Sequence, residues 1–496
     1  MSETKLKRFR AYEEFKPTGY RLLPFRFERL SSSSVLAVNE VGEFCYLTSK
    51  ELVELIEGTL PTNDTLFQEL LSKSFVFIDG YSSIFRTYAS KYRARKSFIK
   101  GGPALHIFVT TLRCDNSCEY CQVSRKGMHN HQYDMSNSDA EQFVYRMFES
   151  PSNNLTVEFQ GGESLLAFEQ LKFIVELCEK VNLKENKNLQ FVITTNLQSI
   201  DNEKLAFFKE HDVHVSTSLD GPEWLHNLNR PNSCRNSYEL TIKGIDKTRL
   251  WLGDDKVAGM TTITKASLGA SRAIVDEYVK HGFHSIFLRP LNMYGFAVKK
   301  ENKISYTSEE FNRFYSEALA HIIEVNRQGY HLDEVNAALA LNNILTPHPM
   351  GYVDMRSPCG DGTGALVYNY NGKVYPSDES RMLVEMGDDS LCLGKASDSY
   401  QSLLTSEPIR RILNVGVAES IPGCSDCAYL PYCGANPVQN LSRYGDMVGH
   451  RSFSSFCDKQ KYLYKHVFEL MKGDSNKKVF MSWLISQDSE ILEVQQ

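Results

Sequence analysis

Arg113-Cys-Asp-Asn-Ser-Cys-Glu-Tyr-Cys-Gln122 is the stretch on which the reading of this chain turns. Its cysteines, Cys114, Cys118 and Cys121, are spaced C-x3-C-x2-C, with Tyr120 directly before the third. Three thiolates at this spacing can hold three irons of a [4Fe–4S] cube and leave the fourth iron open to a small molecule. Structural zinc asks for four ligands, which His129 or His131 would have to complete. The unequal spacing and the aromatic favour a cluster over zinc.

Composition narrows the rest. A chain of 496 residues suggests about three domains. Apolar residues make up 42% and charged residues 23%, an ordinary globular balance. The net charge of -6 argues against a general nucleic-acid binder. No apolar run is long enough to span a membrane, and Met1–Arg10 lacks a signal-peptide core, so a cytoplasmic protein is expected. In that compartment the twelve cysteines read as metal ligands and free thiols. Seven fall in two groups, while Cys45, Cys178, Cys234 and Cys392 read as small buried hydrophobes.

Residues 1–100 read as a small α+β module. Strands are expected at Val35–Asn39 and Glu43–Leu47, a linker at Ser31–Ser34, a helix capped by Ser49, and a second helix at Thr65–Ser72. The Val35–Leu47 strands present an edge to which a peptide strand can add; a lid is the plainer reading of the module. From residue 101 strands and helices alternate. Strands are expected at Leu105–Thr111, Leu155–Gln160, Leu189–Thr194, Val213–Leu219, Val257–Thr264 and Ser285–Arg289. Six such units predict an α/β fold, a partial (β/α)6 barrel over residues 101–330, with its chemistry at the C-terminal strand ends. The cysteine loop follows the first strand. Residues 331–475 form a third region with a hairpin turning at Asn371-Gly372, and 476–496 a tail.

The other strand ends carry short polar residues. Gly161-Gly162-Glu163 follows the second strand; the glycines permit close backbone approach, and the carboxylate can accept from an ammonium. Thr195-Asn196 ends the third and Ser216-Thr-Ser-Leu-Asp-Gly221 the fourth. Turns and loop caps are the plain alternatives. Arg230 and Arg289 can pair with a carboxylate or form surface ion pairs. Cys424, Cys427, Cys433 and Cys457 are spaced C-x2-C-x5-C with a fourth cysteine one loop later, a closed set suited to zinc or a fully ligated cluster.

The cysteine triplet with Gly161-Gly162-Glu163 resembles the radical S-adenosylmethionine (SAM) superfamily. The resemblance implies that SAM chelates the open iron, and that its reductive cleavage gives a 5′-deoxyadenosyl radical. It assigns Gly161, Gly162 and Glu163 to the SAM amino group, and Thr195, Asn196, Ser218 and Asp220 to its carboxylate and ribose. Cys424, Cys427, Cys433 and Cys457 resemble the SPASM extension of peptide maturases, where this set holds the distal auxiliary [4Fe–4S] cluster. A proximal cluster lacks most of its ligands: Cys359 matches the first, but Ser377 and Pro437 stand where cysteines would follow. Two clusters are therefore expected, with Cys359 and Cys392 left over. Asp378 matches an aspartate that takes a proton from substrate; read alone it is a solvated residue at a hairpin end.

Thr111–Arg125, the lead-in Phe85–Arg95 and Cys433-Gly-Ala-Asn-Pro437 are similar to one of the two radical SAM maturases of the His-Xaa-Ser system. That implies a precursor peptide or small protein as substrate, a second radical SAM maturase as partner, and a flavodoxin or ferredoxin as electron donor. An enzyme acting on a small metabolite and a zinc-binding adaptor are the alternatives.

Overall fold

The structure, a computed structural model, describes residues 19–78, 80, 83–346 and 352–484. Residues 1–18 of the expected module, 347–351, and 485–496 of the expected tail lie outside that set. Two compact units divide the chain: Met1–Lys96 with Pro422–Tyr432, and Ser97–Ile421 with Cys433–Gln496.

The first unit holds a three-stranded antiparallel sheet, Phe25–Arg29, Ser34–Asn39 and Phe44–Thr48, with Ser34–Asn39 in the middle. Val35, Leu36, Ala37 and Val38 are all buried, so this strand is covered on both faces. Of the expected Val35–Leu47 strands, the first is therefore central, a correction, while the second, Phe44–Thr48, lies at one edge of the sheet, with Phe25–Arg29 at the other. The additional strand, Phe25–Arg29, precedes Ser31–Ser34. That serine run is a tight turn rather than a linker, because Ser31 Oγ accepts from the amides of Ser33 and Ser34. Helix Ser49–Glu57 is capped one residue earlier than expected: Thr48 and Glu51 form a reciprocal capping box. Its Leu52 and Leu55, with Phe67 and Leu70 of helix Thr65–Ser72, pack on Val35, Ala37 and Leu47.

The second unit is built on a ten-stranded sheet. The six expected strands lie side by side in chain order and parallel: Leu105–Thr111, Asn154–Gly161, Asn188–Thr195, Val213–Ser218, Val257–Thr262 and Ser285–Arg289. Helices such as Phe168–Glu185 cover it, burying Leu171, Ile174, Val175 and Cys178, each large aliphatic side chain contributing roughly 1.5–3 kcal/mol. Asp333–Glu334 adds a parallel strand at one edge and Ala365–Tyr368 another beside Leu105–Thr111. The hairpin assigned to the third region thus extends the barrel sheet, and residue 331 does not begin a separate compact unit. Its strand Lys373–Tyr375 returns antiparallel across Gly372, whose φ of +76 suits the turn. Cys45 and Cys178 are buried as expected, Cys392 is half-buried, and Cys234 is exposed, contrary to expectation. Among the described residues no helix is long and apolar enough to cross a membrane.

Candidate functional site

Alternate residues of a barrel strand face inward. Here that rule places Glu158 and Gln160, Ser216 and Ser218, and Phe287 and Arg289 around one cavity of about 280 Å³. Cys114, Cys118 and Cys121 line the same cavity, as do Gly161, Gly162, Glu163, Thr195 and Asn196.

The cysteine loop is pinned by backbone hydrogen bonds to distant segments. Cys114 N donates to Lys126 O at 3.1 Å, Ser117 N to Pro231 O at 2.7 Å, and Glu119 N to Asn229 O at 2.8 Å. Cys121 O accepts from Phe296 N at 2.9 Å. Buried Arg113 fans its guanidinium over Asp134, Met128 O and Leu166 O. The two glycines have a structural duty beyond approach to a ligand. A Cβ on Gly161 would lie 2.0 Å from Thr111 O, and one on Gly162 2.1 Å from Arg113 O. They let the second strand end lie against the root of the cysteine loop, where Gly162 N and Glu163 N donate to Thr111 O and Arg113 O.

Glu163 is almost fully buried. Its Oε1 accepts from Thr195 Oγ1 at 2.5 Å and Leu165 N at 3.1 Å, its Oε2 from Asn196 N at 2.8 Å. One lone pair on Oε2 remains, so the carboxylate is fixed yet can accept once more. Burial, with Asp115 nearby, pushes its pKa up to about 7. Asn196 donates from Nδ2 to Asp115 at 2.7 Å, tying the third strand end to the cysteine loop.

Asp220 departs from its expected role. It does not line the cavity; it is fully buried and bonded within the protein. Tyr120 donates to both, at 2.7 and 2.9 Å, Arg230 lies at 3.3 Å, and Thr262 N donates at 3.3 Å. Arg230 also donates to Tyr120 at 2.6 Å, so the aromatic of the motif is held by a buried ion pair. Both Arg230 and Arg289 line the cavity; Arg230 is held there by its ion pair with Asp220, whereas Arg289, among the described residues, forms no ion pair.

Asp378 is no solvated hairpin tip. It opens helix Asp378–Val384, lines the cavity, and has Arg381, itself 1% exposed, 3.5 Å away. Four carboxylates outside the sequence expectation, Glu158, Asp354, Asp361 and Glu379, also line it. Burial raises all four, Glu158 to about 7, Asp354 to about 6 and Glu379 to about 8. Glu158 carries a signal in the sequence: it sits on the polar side of an alternating strand, with Asn154, Thr156 and Gln160 opposite Leu155, Val157 and Phe159. Asp354 and Glu379 carry none, because they reach the cavity from segments far from the barrel strands in sequence.

The donor set suits a cluster. A cube takes one thiolate per iron, and Cys114, Cys118 and Cys121 offer three thiols from one loop at one cavity. Burial pushes the Cys118 thiol up to about 12 against the pull of Arg230, and Cys114 also upward, so an iron's charge is what would stabilise their thiolates. Of the second cysteine group, Cys424 and Cys427 lie in the first unit and Cys433 and Cys457 in the second. Cys359 is packed in a different setting, among Tyr294, Met382, Leu391, Ile412 and Val438.

Residues 108–250 match the radical SAM superfamily. The chain is 30% identical over 210 residues to an uncharacterized protein of Methanocaldococcus jannaschii, covering 42% of this chain and 68% of that one. It is 21% identical over 377 residues to a cysteine-type anaerobic sulfatase-maturating enzyme of Clostridium novyi, covering 70% and 92%. The solved structure of native anSMEcpe with bound AdoMet and Cp18Cys peptide shares the fold: TM-score 0.64, 19% identity, 76% of this chain and 100% of that one.

Proposed function

As a member of the radical SAM superfamily, this chain, we propose, is a maturase that modifies a precursor peptide or small protein. The observation that carries the reading is the single cavity in which the cysteine triplet, the glycine turn and the inward polar residues of the barrel strands meet. The sulfatase-maturating relative and the peptide-bound neighbour support a peptide over a small metabolite.

Cys114, Cys118 and Cys121 would hold a [4Fe–4S] cluster, and Gly161, Gly162, Glu163, Asn196 and Ser218 would orient SAM on it. That pair of cofactors supplies hydrogen-atom abstraction by a radical. The chain supplies position and exclusion of water. Glu163, locked by Thr195 and Asn196, offers its remaining Oε2 lone pair to the SAM ammonium. Leu105, Ile107 and Phe287 give the cavity an apolar wall. Asp378 accepts a proton from substrate; its Oδ1 forms no hydrogen bond and lies 3.5 Å from the Arg381 guanidinium.

Cys424, Cys427, Cys433 and Cys457 are proposed to hold an auxiliary [4Fe–4S] cluster that relays electrons or braces the C-terminal region. The precursor is proposed to be that of a His-Xaa-Ser system, shared with a second radical SAM maturase, and to add to an outer strand of the first unit. Mass spectrometry of the precursor co-expressed with the whole system tests the reading. A mass change lost in Cys114→Ala is expected; an unmodified precursor in both strains contradicts it.

A further inference from the structure

The proposed cofactor chemistry occupies one side of the cavity, around the cysteine triplet, Glu163 and Asn196. The other side is acidic: Glu158, Asp354, Asp361, Asp378 and Glu379 line it. Three arginines line the cavity as well. Arg230 pairs with Asp220, and Arg125 donates to Ser117 in the cysteine loop. Arg289 is left to face the carboxylates, and its charge bears on Glu158 and Asp354. Two further guanidiniums stand behind them. Arg381, 1% exposed, lies 3.5 Å from Asp378, and Arg356 bears on Asp361, which also accepts from Ser377 and Cys359. Among the described residues, Glu158, Asp354 and Glu379 form no ion pair.

Glu158 reaches the site independently of the others, from the barrel strand Asn154–Gly161. It is 8% exposed. Its Oε1 accepts from Gln160 Nε2 at 2.7 Å and Thr194 Oγ1 at 3.0 Å, while its Oε2, among the described residues, carries no hydrogen bond. A carboxylate so buried, with one oxygen open at a cavity, is best satisfied by a charged donor. Apolar surface lies directly beside it. Ile107 is its register partner on the neighbouring strand, and Leu105 and Ile107 both line the cavity. A hydrocarbon stem ending in a positive charge matches both halves. A hydrated metal ion matches only the acidic one.

We propose that this side of the cavity receives a basic side chain of the substrate peptide, lysine or arginine, its stem along Leu105 and Ile107 and its charge against Glu158, Asp354 and Glu379. The proposal rests on the reading that a peptide enters the cavity, and deepens it by naming the kind of residue. Binding forms charge-assisted hydrogen bonds and breaks no covalent bond. Burial holds these three carboxyls above the usual range; an entering cation favours their charged form and in return stays charged itself.

The test is equilibrium dialysis of four capped tripeptides against the SAM-loaded holoprotein. Their central residues are lysine, arginine, norleucine and glutamate, flanked by alanines. Norleucine keeps the stem and lacks the charge. The lysine or the arginine peptide should bind roughly tenfold more tightly than the norleucine peptide, the gain of one charge-assisted bond. The glutamate peptide should bind most weakly. Glu158→Gln with Glu379→Gln should abolish the preference and leave the affinity for the norleucine peptide unchanged. Equal affinities in the wild type, or no binding of any of the four, overturn the proposal. So does a preference that survives in the double variant. Should that variant lose iron, Asp354→Asn decides: a smaller preference is expected, and an unchanged one overturns the proposal. A precursor that stays unmodified while the basic preference holds would contradict the maturase reading and spare the acidic side of the cavity.

Discussion

Two corners of the second unit each bury cysteine thiols, and they differ in how closely the sulfur is packed. Cys114, Cys118 and Cys121 line a polar cavity, on a loop held by glycine-tight backbone contacts and a buried Tyr120–Asp220–Arg230 network. Cys359 packs in a cluster with Tyr294, Met382, Leu391, Ile412 and Val438, its thiol hydrogen-bonded to Asp361. The Gly416 backbone packs so closely that a Cβ there would come within 2.4 Å of its sulfur. Cys392 belongs to another apolar cluster altogether. A ligand-forming cysteine is thus recognised by the room and polarity beside it.

The sharpest way to break this contrast is to empty the first corner. Replacing Cys114, Cys118 and Cys121 by Ala should take reconstituted protein from about eight irons to about four, measured by iron and sulfide analysis. About twelve irons in the wild type would mean that Cys359 does recruit a cluster. Next, Asp220→Ala should destabilise the protein by about 3–5 kcal/mol, because Arg230 is left buried without its partner. Chemical denaturation of the apoprotein measures it, and an unchanged midpoint would mean that the network does not hold the loop. Glu163→Gln should weaken SAM binding by about 1.5–3 kcal/mol while keeping the iron content, as the charge-assisted bond to the ammonium is lost. Isothermal titration of the reconstituted protein reads it, and full affinity would return the Gly161-Gly162-Glu163 stretch to the status of a turn. Smallest of all, Cys359→Ala should cost on the order of 1 kcal/mol of packing and no iron. Any loss of iron would erase the distinction between the two corners.

Local pattern alone makes the barrel and the cysteine loop legible in the sequence. Leu105–Thr111 and Ser285–Arg289 fall at the expected boundaries, because apolar runs between helical stretches leave few alternatives. What local pattern hides depends on partners distant in sequence. Asp220 looks like a ligand-facing residue at a strand end, yet Tyr120 and Arg230 claim it. Asp378 looks like a turn residue, yet the pairing of Ala365–Tyr368 with Leu105–Thr111 carries its hairpin to the cavity. Phe25–Arg29 escapes a reading by pattern because none of its residues is fully buried and its pairing with Ser34–Asn39 is what defines it. Thr48 and Ser49 have the same capping chemistry one residue apart; the reciprocal bond from Glu51 chooses between them.

The central claim is that the Cys114–Cys121 loop holds a cluster on which SAM is cleaved. Anaerobic incubation of reconstituted protein with SAM and dithionite, followed by chromatography for 5′-deoxyadenosine, tests it most directly. The expected result is 5′-deoxyadenosine from the wild type and none from the triple Ala variant that keeps about four irons. A wild-type protein with about eight irons that forms none, or a triple variant that still forms it, would contradict the claim.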